Sequence, residues 1–149
     1  MATYYLQAAS AAQETAVKDL IRAVQINPMG LDWRRFLVAV DETGTLIGCG
    51  QVKPHRDGSR ELASIAVRPT WRKQGVARAM IQRLQANAGA PLWLTCVSPL
   101  IPFYQPFGFR EVTDRAIMPP YFRRVTWLFR LFTRLSPQSR YLAVMVWEG

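Results

Sequence analysis

The chain has 149 residues, half of them apolar, and 19 basic against 10 acidic side chains give it a net charge of +9. This length is usual for one domain with one core, and the apolar content argues against disorder along the whole chain. Cys49 and Cys96 are too few for a disulfide framework, and no CxxC or histidine-rich spacing indicates a metal, so we expect a reducing compartment and no metal site.

From the first residues and the apolar runs we expect neither a signal peptide nor a membrane span. Residues 1–5 lack the basic start and long apolar run of a signal peptide. The longest membrane-span candidate, residues 125–132, is short and is interrupted by Arg130. We therefore expect a cytoplasmic protein.

The first half of the chain predicts one helix among four strands. Ser10-Ala11-Ala12-Gln13 has the form of a capping box, in which the serine and glutamine side chains satisfy free N–H groups at a helix start. Apolar residues at helical spacing continue that helix to about residue 27. Asp41-Glu42-Thr43-Gly44 is typical of a hairpin turn. The predicted strands, three of them joined by short turns as an antiparallel meander, cover residues 3–7, 35–40, 45–53 and 61–67.

The second half alternates strands and helices. Apolar residues on one side predict a helix over residues 76–87, followed by a buried strand over 91–97. Because this strand follows a strand–helix crossover, we expect it to lie parallel to the strand at 61–67. A short helical turn at 103–107 and strands at 108–112 and 141–147 complete a mixed-sheet α/β domain, with no internal repeat and no dividing linker.

The segment from residue 61 to residue 77 carries the clearest chemical signal. A buried strand ends at Arg68-Pro69 and leads through the basic residues Arg72 and Lys73 into a helix that opens at Gly75. N–H groups at a helix start have no intrahelical partner, and the helix dipole adds positive potential, which suits a pyrophosphate. Gly75 would let the phosphate approach the main chain without a Cβ in the way.

Neither standard nucleotide loop fits this segment, because GxxxxGK[ST] is absent and no GxGxxG follows a first strand. The segment Arg72-x-x-Gly75-x-Ala77 instead resembles the [Q/R]-x-x-G-x-[G/A] loop of the GNAT family, the Gcn5-related N-acetyltransferases. About 30 residues downstream, Phe103-Tyr104-Gln105-Pro106-Phe107-Gly108-Phe109 is similar to that family's FYxxxGF segment. The two motifs occur in the family's order, with a helix and a strand predicted between them.

The resemblance implies a GNAT-like mixed, mostly antiparallel sheet with helices on both faces and a V-shaped splay between the two central parallel strands. It implies one acetyltransferase domain over residues 1–149, with a basic amphipathic insert at about 116–140. The implied activity is transfer of an acetyl group from acetyl-CoA, the co-substrate, to an amine by direct attack in a ternary complex. The alternative is a non-catalytic acyl-CoA-binding sensor that keeps the cleft without turnover.

The resemblance also assigns roles to individual positions. Tyr104 resembles the tyrosine that protonates the departing CoA thiolate. The remaining assignments are backbone groups for the pantetheine arm at Ile65, Ala66 and Val67, and N–H groups for the pyrophosphate at Arg72, Lys73, Gln74, Gly75, Val76 and Ala77.

Acyl transfer needs a neutral amine, so a base or a water relay must remove a proton from an ammonium group. Glu61, six residues before Val67, is the candidate base, and the alternative is a surface glutamate at a strand start. We expect His55, the only histidine, to be a solvated turn residue. For Cys96 we favour core packing over acylation in a ping-pong route.

Residues 116–140 form an insert with no acidic residue. A helical wheel places Val125, Leu128, Phe129 and Phe132 opposite a basic face, so we expect a helix packed on the sheet. The basic face, which includes Trp127, indicates an alternative peripheral contact with anionic lipid or a protein through Arg123, Arg124, Arg130 and Arg134. The other expected partner is an amine acceptor (a small molecule, a protein lysine or a protein N-terminus); a homodimer is compatible with the sequence, and we expect no nucleic acid.

Overall fold

The structure is a computed structural model that describes residues 2–133 and 140–149. Its seven strands form a mixed sheet in the order β1-β2-β3-β4-β5-β7-β6. β4 and β5 run parallel, with Glu61 opposite Trp93, as the crossover predicted. The mixed sheet confirms the predicted fold class. The strands are β1 Tyr4–Ala8, β2 Phe36–Asp41, β3 Leu46–Pro54, β4 Arg60–Val67, β5 Leu92–Val97, β6 Arg110–Val112 and β7 Leu142–Trp147.

The α-helices in these described ranges are α1 Glu14–Ala23, α2 Val76–Ala88, α3 Ile101–Tyr104 and α4 Pro120–Thr133. The capping residues predicted at 10–13 do open the first helical segment, since Gln13 Oε1 accepts the Ser10 N–H at 2.9 Å. That segment begins as a 3-10 turn, Ala11–Gln13, before α1. α1 ends at Ala23, a turn earlier than the apolar periodicity suggested.

The chain groups into two compact units, and β4 contributes to both. The first contains the chain up to Lys53 and Leu62–Ala88, and the second contains Pro54–Glu61 and Gly89–Gly149. In the first unit β2 pairs antiparallel with β1 and with β3. The hairpin between β2 and β3 follows the predicted turn, because Asp41 Oδ1 accepts the N–H groups of Thr43 and Thr45.

α1 and α2 cover opposite faces of the sheet in the first unit. Val17, Leu20 and Ile21 of α1 share a core cluster with Cys49 of β3. The neighbouring β3 residues face α2, because a Cβ added at Gly48 would lie 3.0 Å from the Met80 side chain. Successive residues of a strand point to opposite faces, so β3 is covered on both sides. β2 pairs with β3 in the same part of the sheet and is covered on both faces as well. It is therefore apolar and buried at five consecutive positions, Phe36 to Val40.

In the second unit β7 pairs antiparallel with both β5 and β6. Phe122 of α4 is fully buried in a cluster with Met118, Val112 and residues of β7. Its ring stacks on Trp93 of β5, with 5.6 Å between centroids. α4 is therefore anchored through its first turns, as expected for a helix packed on the sheet. No helix in the described ranges is long and apolar enough to cross a membrane.

Candidate functional site

The loop between β4 and α2 has the geometry of an anion-binding helix start. After a 3-10 turn at Pro69–Trp71 the chain passes through Arg72 to Gly75, all exposed, and enters α2 at Val76. The first helical hydrogen bond runs from the Ala79 N–H to the Gly75 carbonyl at 3.0 Å. The N–H groups at the start of α2 therefore have no intrahelical acceptor and point out of the helix end.

Two residues of this loop adopt left-handed backbone conformations, Lys73 with φ of 62° and Gly75 with φ of 82°. A Cβ built on Gly75 would meet no atom within 4 Å, so the glycine is not needed for packing inside the protein. What the position does require is the positive φ, which residues other than glycine rarely adopt. The open space in front of Gly75 is consistent with a close approach of a ligand to the main chain.

Sequence reasoning missed an irregularity in β4 just before the predicted pantetheine residues Ile65, Ala66 and Val67. Ser64 has φ of 59° in the middle of the strand. Its Oγ accepts a hydrogen bond from Gln51 Nε2 at 2.9 Å, and the same Nε2 donates to the Gly30 carbonyl at 3.2 Å. These buried bonds hold the strand in its strained conformation. A serine within a strand gives no indication in the sequence that its backbone has a positive φ.

Tyr104 ends α3, in the second unit, among aromatic rings. It makes edge contacts with Phe103 and Phe109, at 4.9 and 6.1 Å between centroids. Burial, with a smaller contribution from Cys96, raises the pKa of the Tyr104 phenol to about 12. The hydroxyl thus stays protonated at neutral pH, as a proton donor must.

The two cysteines are free thiols in the interior. Burial raises the pKa of Cys49 to about 12, and burial together with Glu111 raises the pKa of Cys96 to about 11. A thiol is nucleophilic only as its thiolate. The expected packing role of Cys96 is consistent with this environment.

Glu61 is a buried carboxylate rather than a surface residue at the start of β4. Its Oε1 lies 2.9 Å from Nε2 of His55, and the two side chains are only 9% and 13% exposed. The expectation that His55 is solvated is therefore wrong. A single histidine in a polar turn gives no sequence signal for burial, because the residues that cover it come from α4.

Tyr121, at the start of α4, completes this cluster. Its ring stacks on the His55 imidazole, with 3.5 Å between centroids and 17° between planes. Burial, the charge of Glu61 and a hydrogen bond to that carboxylate raise the pKa of the Tyr121 phenol, and Arg124 opposes them. The Tyr121 N–H donates to Asp57 Oδ2 at 2.9 Å. We call Glu61, His55 and Tyr121 the carboxylate cluster.

The outward face of α4 differs from the helical-wheel prediction. Val125 and Phe129 are half-buried as expected, but Leu128 is 45% and Phe132 81% exposed. These two residues belong to the same exposed surface as Trp127. The periodicity was misleading because apolar residues occur on two stripes of the helix, and only one of them is covered. The exposed arginines on this surface are Arg123, Arg124 and Arg130, while the predicted contact residue Arg134 lies outside the described residues.

This mixed sheet, with a glycine-containing loop between β4 and α2, matches the fold of solved GNAT-family acetyltransferases. A family profile described as the acetyltransferase (GNAT) domain matches residues 32–111, more than half of the chain. The protein belongs to the GNAT acetyltransferase family. A search of curated protein sequences found no significant match.

Solved structures show the same fold at low sequence identity. Rv2747 from Mycobacterium tuberculosis, in complex with CoA and NLQ, is 19% identical with a TM-score of 0.74, and the alignment covers 97% of this chain and 99% of that one. N-acetylglutamate synthase from Neisseria gonorrhoeae, complexed with coenzyme A and L-arginine, is 15% identical with a TM-score of 0.76. That alignment covers 99% of this chain but only 34% of the synthase.

The ribosomal-protein-S18-alanine N-acetyltransferase from Escherichia coli is 16% identical with a TM-score of 0.64, and 98% of this chain and 94% of that chain are covered. Identities this low establish the common fold alone.

Proposed function

We propose that the protein is an N-acetyltransferase that moves the acetyl group of acetyl-CoA to an amine by direct attack in a ternary complex. The match of the acetyltransferase profile to residues 32–111 carries this proposal. The geometry after β4 supports it, because exposed N–H groups follow a glycine at the start of α2. Structural neighbours crystallised with CoA add support for an acyl-CoA ligand. We further propose that residues 1–149 act as one acetyltransferase domain, in the cytoplasm.

In the proposed complex, N–H groups of residues 72–77 hold the pyrophosphate and the backbone of Ile65, Ala66 and Val67 binds the pantetheine arm. Glu61 takes a proton from the amine nitrogen, whose lone pair then attacks the thioester carbon. The carbon–sulfur bond breaks and the thiolate takes a proton from Tyr104. The nitrogen then loses its second proton to the Tyr104 phenolate, which leaves a neutral amide, and Glu61 releases its proton to solvent. Direct attack is favoured over an acetyl-cysteine intermediate, since burial raises the pKa of Cys96 to about 11.

The test is amine-dependent release of the CoA thiol by purified protein. The panel contains glutamate, a peptide with N-terminal alanine, a lysine peptide and a polyamine; the first two are chosen because of the neighbouring synthase and alanine acetyltransferase. Thiol release that saturates with one of these amines is the expected result. Tight acetyl-CoA binding without amine-dependent release would instead support the sensor, and absence of binding would refute both.

We propose in addition that the exposed surface of α4 docks on anionic lipid. Trp127, Leu128 and Phe132 give this surface an apolar centre, and Arg123, Arg124 and Arg130 supply positive charge beside it. Aromatic residues flanked by arginines are typical of helices that lie in the plane of a membrane surface and complement its negative charge.

Sedimentation with vesicles tests this docking at physiological salt. We expect co-pelleting with vesicles that contain phosphatidylserine and none with neutral phosphatidylcholine vesicles. The double variant W127A/F132A should stay in the supernatant, while L100A, which removes another exposed apolar side chain, should pellet like the parent protein. Equal pelleting of parent and double variant, or none of the parent, would contradict lipid docking.

A further inference from the structure

The carboxylate cluster contains two side chains that neither the resemblance nor the proposed mechanism uses. His55 comes from the turn before β4, and Tyr121 comes from the first turn of α4. Both contact the Glu61 carboxylate in a largely buried setting. We infer that His55, supported by Tyr121, is a positioning residue that orients Glu61 toward the acceptor amine. This inference rests on the acetyl transfer proposed above.

The hydrogen bond between His55 and Glu61 has a defined direction. An ionised carboxylate can only accept hydrogen bonds, so Nε2 of the imidazole must carry the hydrogen that it shares with Oε1. His55 is thus either the neutral Nε2–H tautomer or the imidazolium ion. In both forms it fixes one carboxylate oxygen at 2.9 Å.

The imidazole is held from several sides, which makes it suitable for positioning. Tyr121 stacks on its face, and Phe122 meets its edge with 5.9 Å between centroids and 88° between planes. The backbone N–H of His55 donates to the Ser59 carbonyl at 2.9 Å, which fixes the turn that carries the ring. A ring confined in this way loses little further entropy when it holds Glu61 in one orientation.

Charged and titratable groups face His55 from its own turn, from β4 and from α4. Glu61 faces it from β4, Asp57 lies in its own turn, and Tyr121 faces it from α4, with Arg124 acting on Tyr121. The pKa of Asp57 is about 2, so this residue stays ionised through the working range. The raised pKa of Tyr121 keeps its hydroxyl protonated.

Two consequences distinguish positioning from a structural role. Losing the Nε2–H donor should release the carboxylate and lower kcat, without weakening acetyl-CoA binding. A substitute side chain that keeps an uncharged N–H donor should hold the carboxylate in the same orientation and restore kcat.

Histidine variants test both consequences, with the amine found active in the panel. H55L removes the donor and should lower kcat about tenfold or more, while the Kd for acetyl-CoA stays within about twofold. H55Q keeps an uncharged N–H donor and should restore most of kcat. Y121F should lower kcat as well, while Y141F, which removes a comparable tyrosine–glutamate bond to Glu111, should not.

A spectroscopic measurement reads the arrangement without activity. Because the chain has one histidine, the imidazole nitrogen signals of tag-free, ¹⁵N-labelled protein are assigned by inspection. The neutral form should be the Nε2–H tautomer, and E61L should lose that preference. An Nδ1–H tautomer in the parent protein, an unchanged kcat in H55L, or a kcat in H55Q as low as in H55L would each overturn the inference. If the parent protein releases no thiol with any amine, the proposed function fails and the inference fails with it.

Discussion

Gly44 and Gly75 have the same backbone torsion, a φ of 82°, and at both positions an added Cβ would meet no atom within 4 Å. Gly44 lies in the turn between β2 and β3, and Gly75 lies at the start of α2. The two glycines therefore carry the same intrinsic conformational requirement in different settings. Comparing them separates the cost of the backbone conformation from any effect on ligand binding.

Alanine at either glycine should lower the free energy of unfolding by about 1–2 kcal/mol, because a side chain is strained at positive φ. Only Gly75→Ala should also weaken acetyl-CoA binding, by about tenfold, since its Cβ would occupy the approach to the helix start. Chemical denaturation and calorimetry measure the two quantities. Equal acetyl-CoA affinity in both variants would argue against pyrophosphate binding at this loop.

Tyr104→Phe should lower kcat by about tenfold to a hundredfold and leave the Kd for acetyl-CoA nearly unchanged, because it removes a proton donor and keeps the ring packing. The pKa of about 12 means that the phenol is still protonated where a free tyrosine, at about 10, begins to ionise. Activity should thus show no decline due to Tyr104 below about pH 10. Tyr5→Phe, at an exposed position, is the control and should behave as the parent protein.

Cys96→Ala should keep kcat within about threefold, since a thiol with a pKa of about 11 supplies almost no thiolate at neutral pH. The buried cavity should cost about 1 kcal/mol of stability. Steady-state rates and mass spectrometry of protein mixed with acetyl-CoA alone check this. An acetylated Cys96 that forms and decays at the rate of turnover would establish the ping-pong route instead.

Asp57→Ala should destabilise the turn at residues 55–59 and its attachment to α4. Burial raises the pKa of Asp57, but hydrogen bonds from Ser59 and from the Tyr121 N–H outweigh it and lower the value from 3.8 to about 2. A carboxyl with a lowered folded-state pKa stabilises the protein above the unfolded value, and this contribution is lost as pH falls from about 4 toward 2.

The melting temperature of the Asp57→Ala variant should therefore lie below that of the parent protein at pH 7, and the difference should shrink at pH 3. Asp19→Ala, at an exposed position of α1 with an ion pair to Arg22 at 3.7 Å, is the matched control and should change little. A melting difference that is constant between pH 7 and pH 3 would contradict the role of the Asp57 charge.

Local sequence signals predicted the elements well because the signals and the contacts involve nearby residues. The glutamine of the capping box at 10–13 and the aspartate of the turn at 41–45 each bond to the neighbours that the sequence indicated. The parallel pairing of β4 and β5 followed from the crossover rule alone. The loop at 72–77 could be located in the sequence because a glycine marks the start of the helix that follows it.

The carboxylate cluster could not be predicted because it is tertiary. Asp57 and the Tyr121 N–H that it accepts are 64 positions apart, and no spacing rule connects them. The strained Ser64 was hidden for another reason, since its conformation depends on the buried amide of Gln51. For α4, periodicity identified the helix but could not tell which of its two apolar stripes is covered.

The attachment of α4 to the turn at 55–59 has a consequence for protein engineering. A chimera that receives the insert of a relative without the matching turn would replace Tyr121 and leave His55 and Asp57 with a foreign neighbour. The setting of Glu61 would then change although Glu61 itself and its strand were retained. Turn and insert should accordingly be exchanged together when acceptor preference is grafted onto this scaffold.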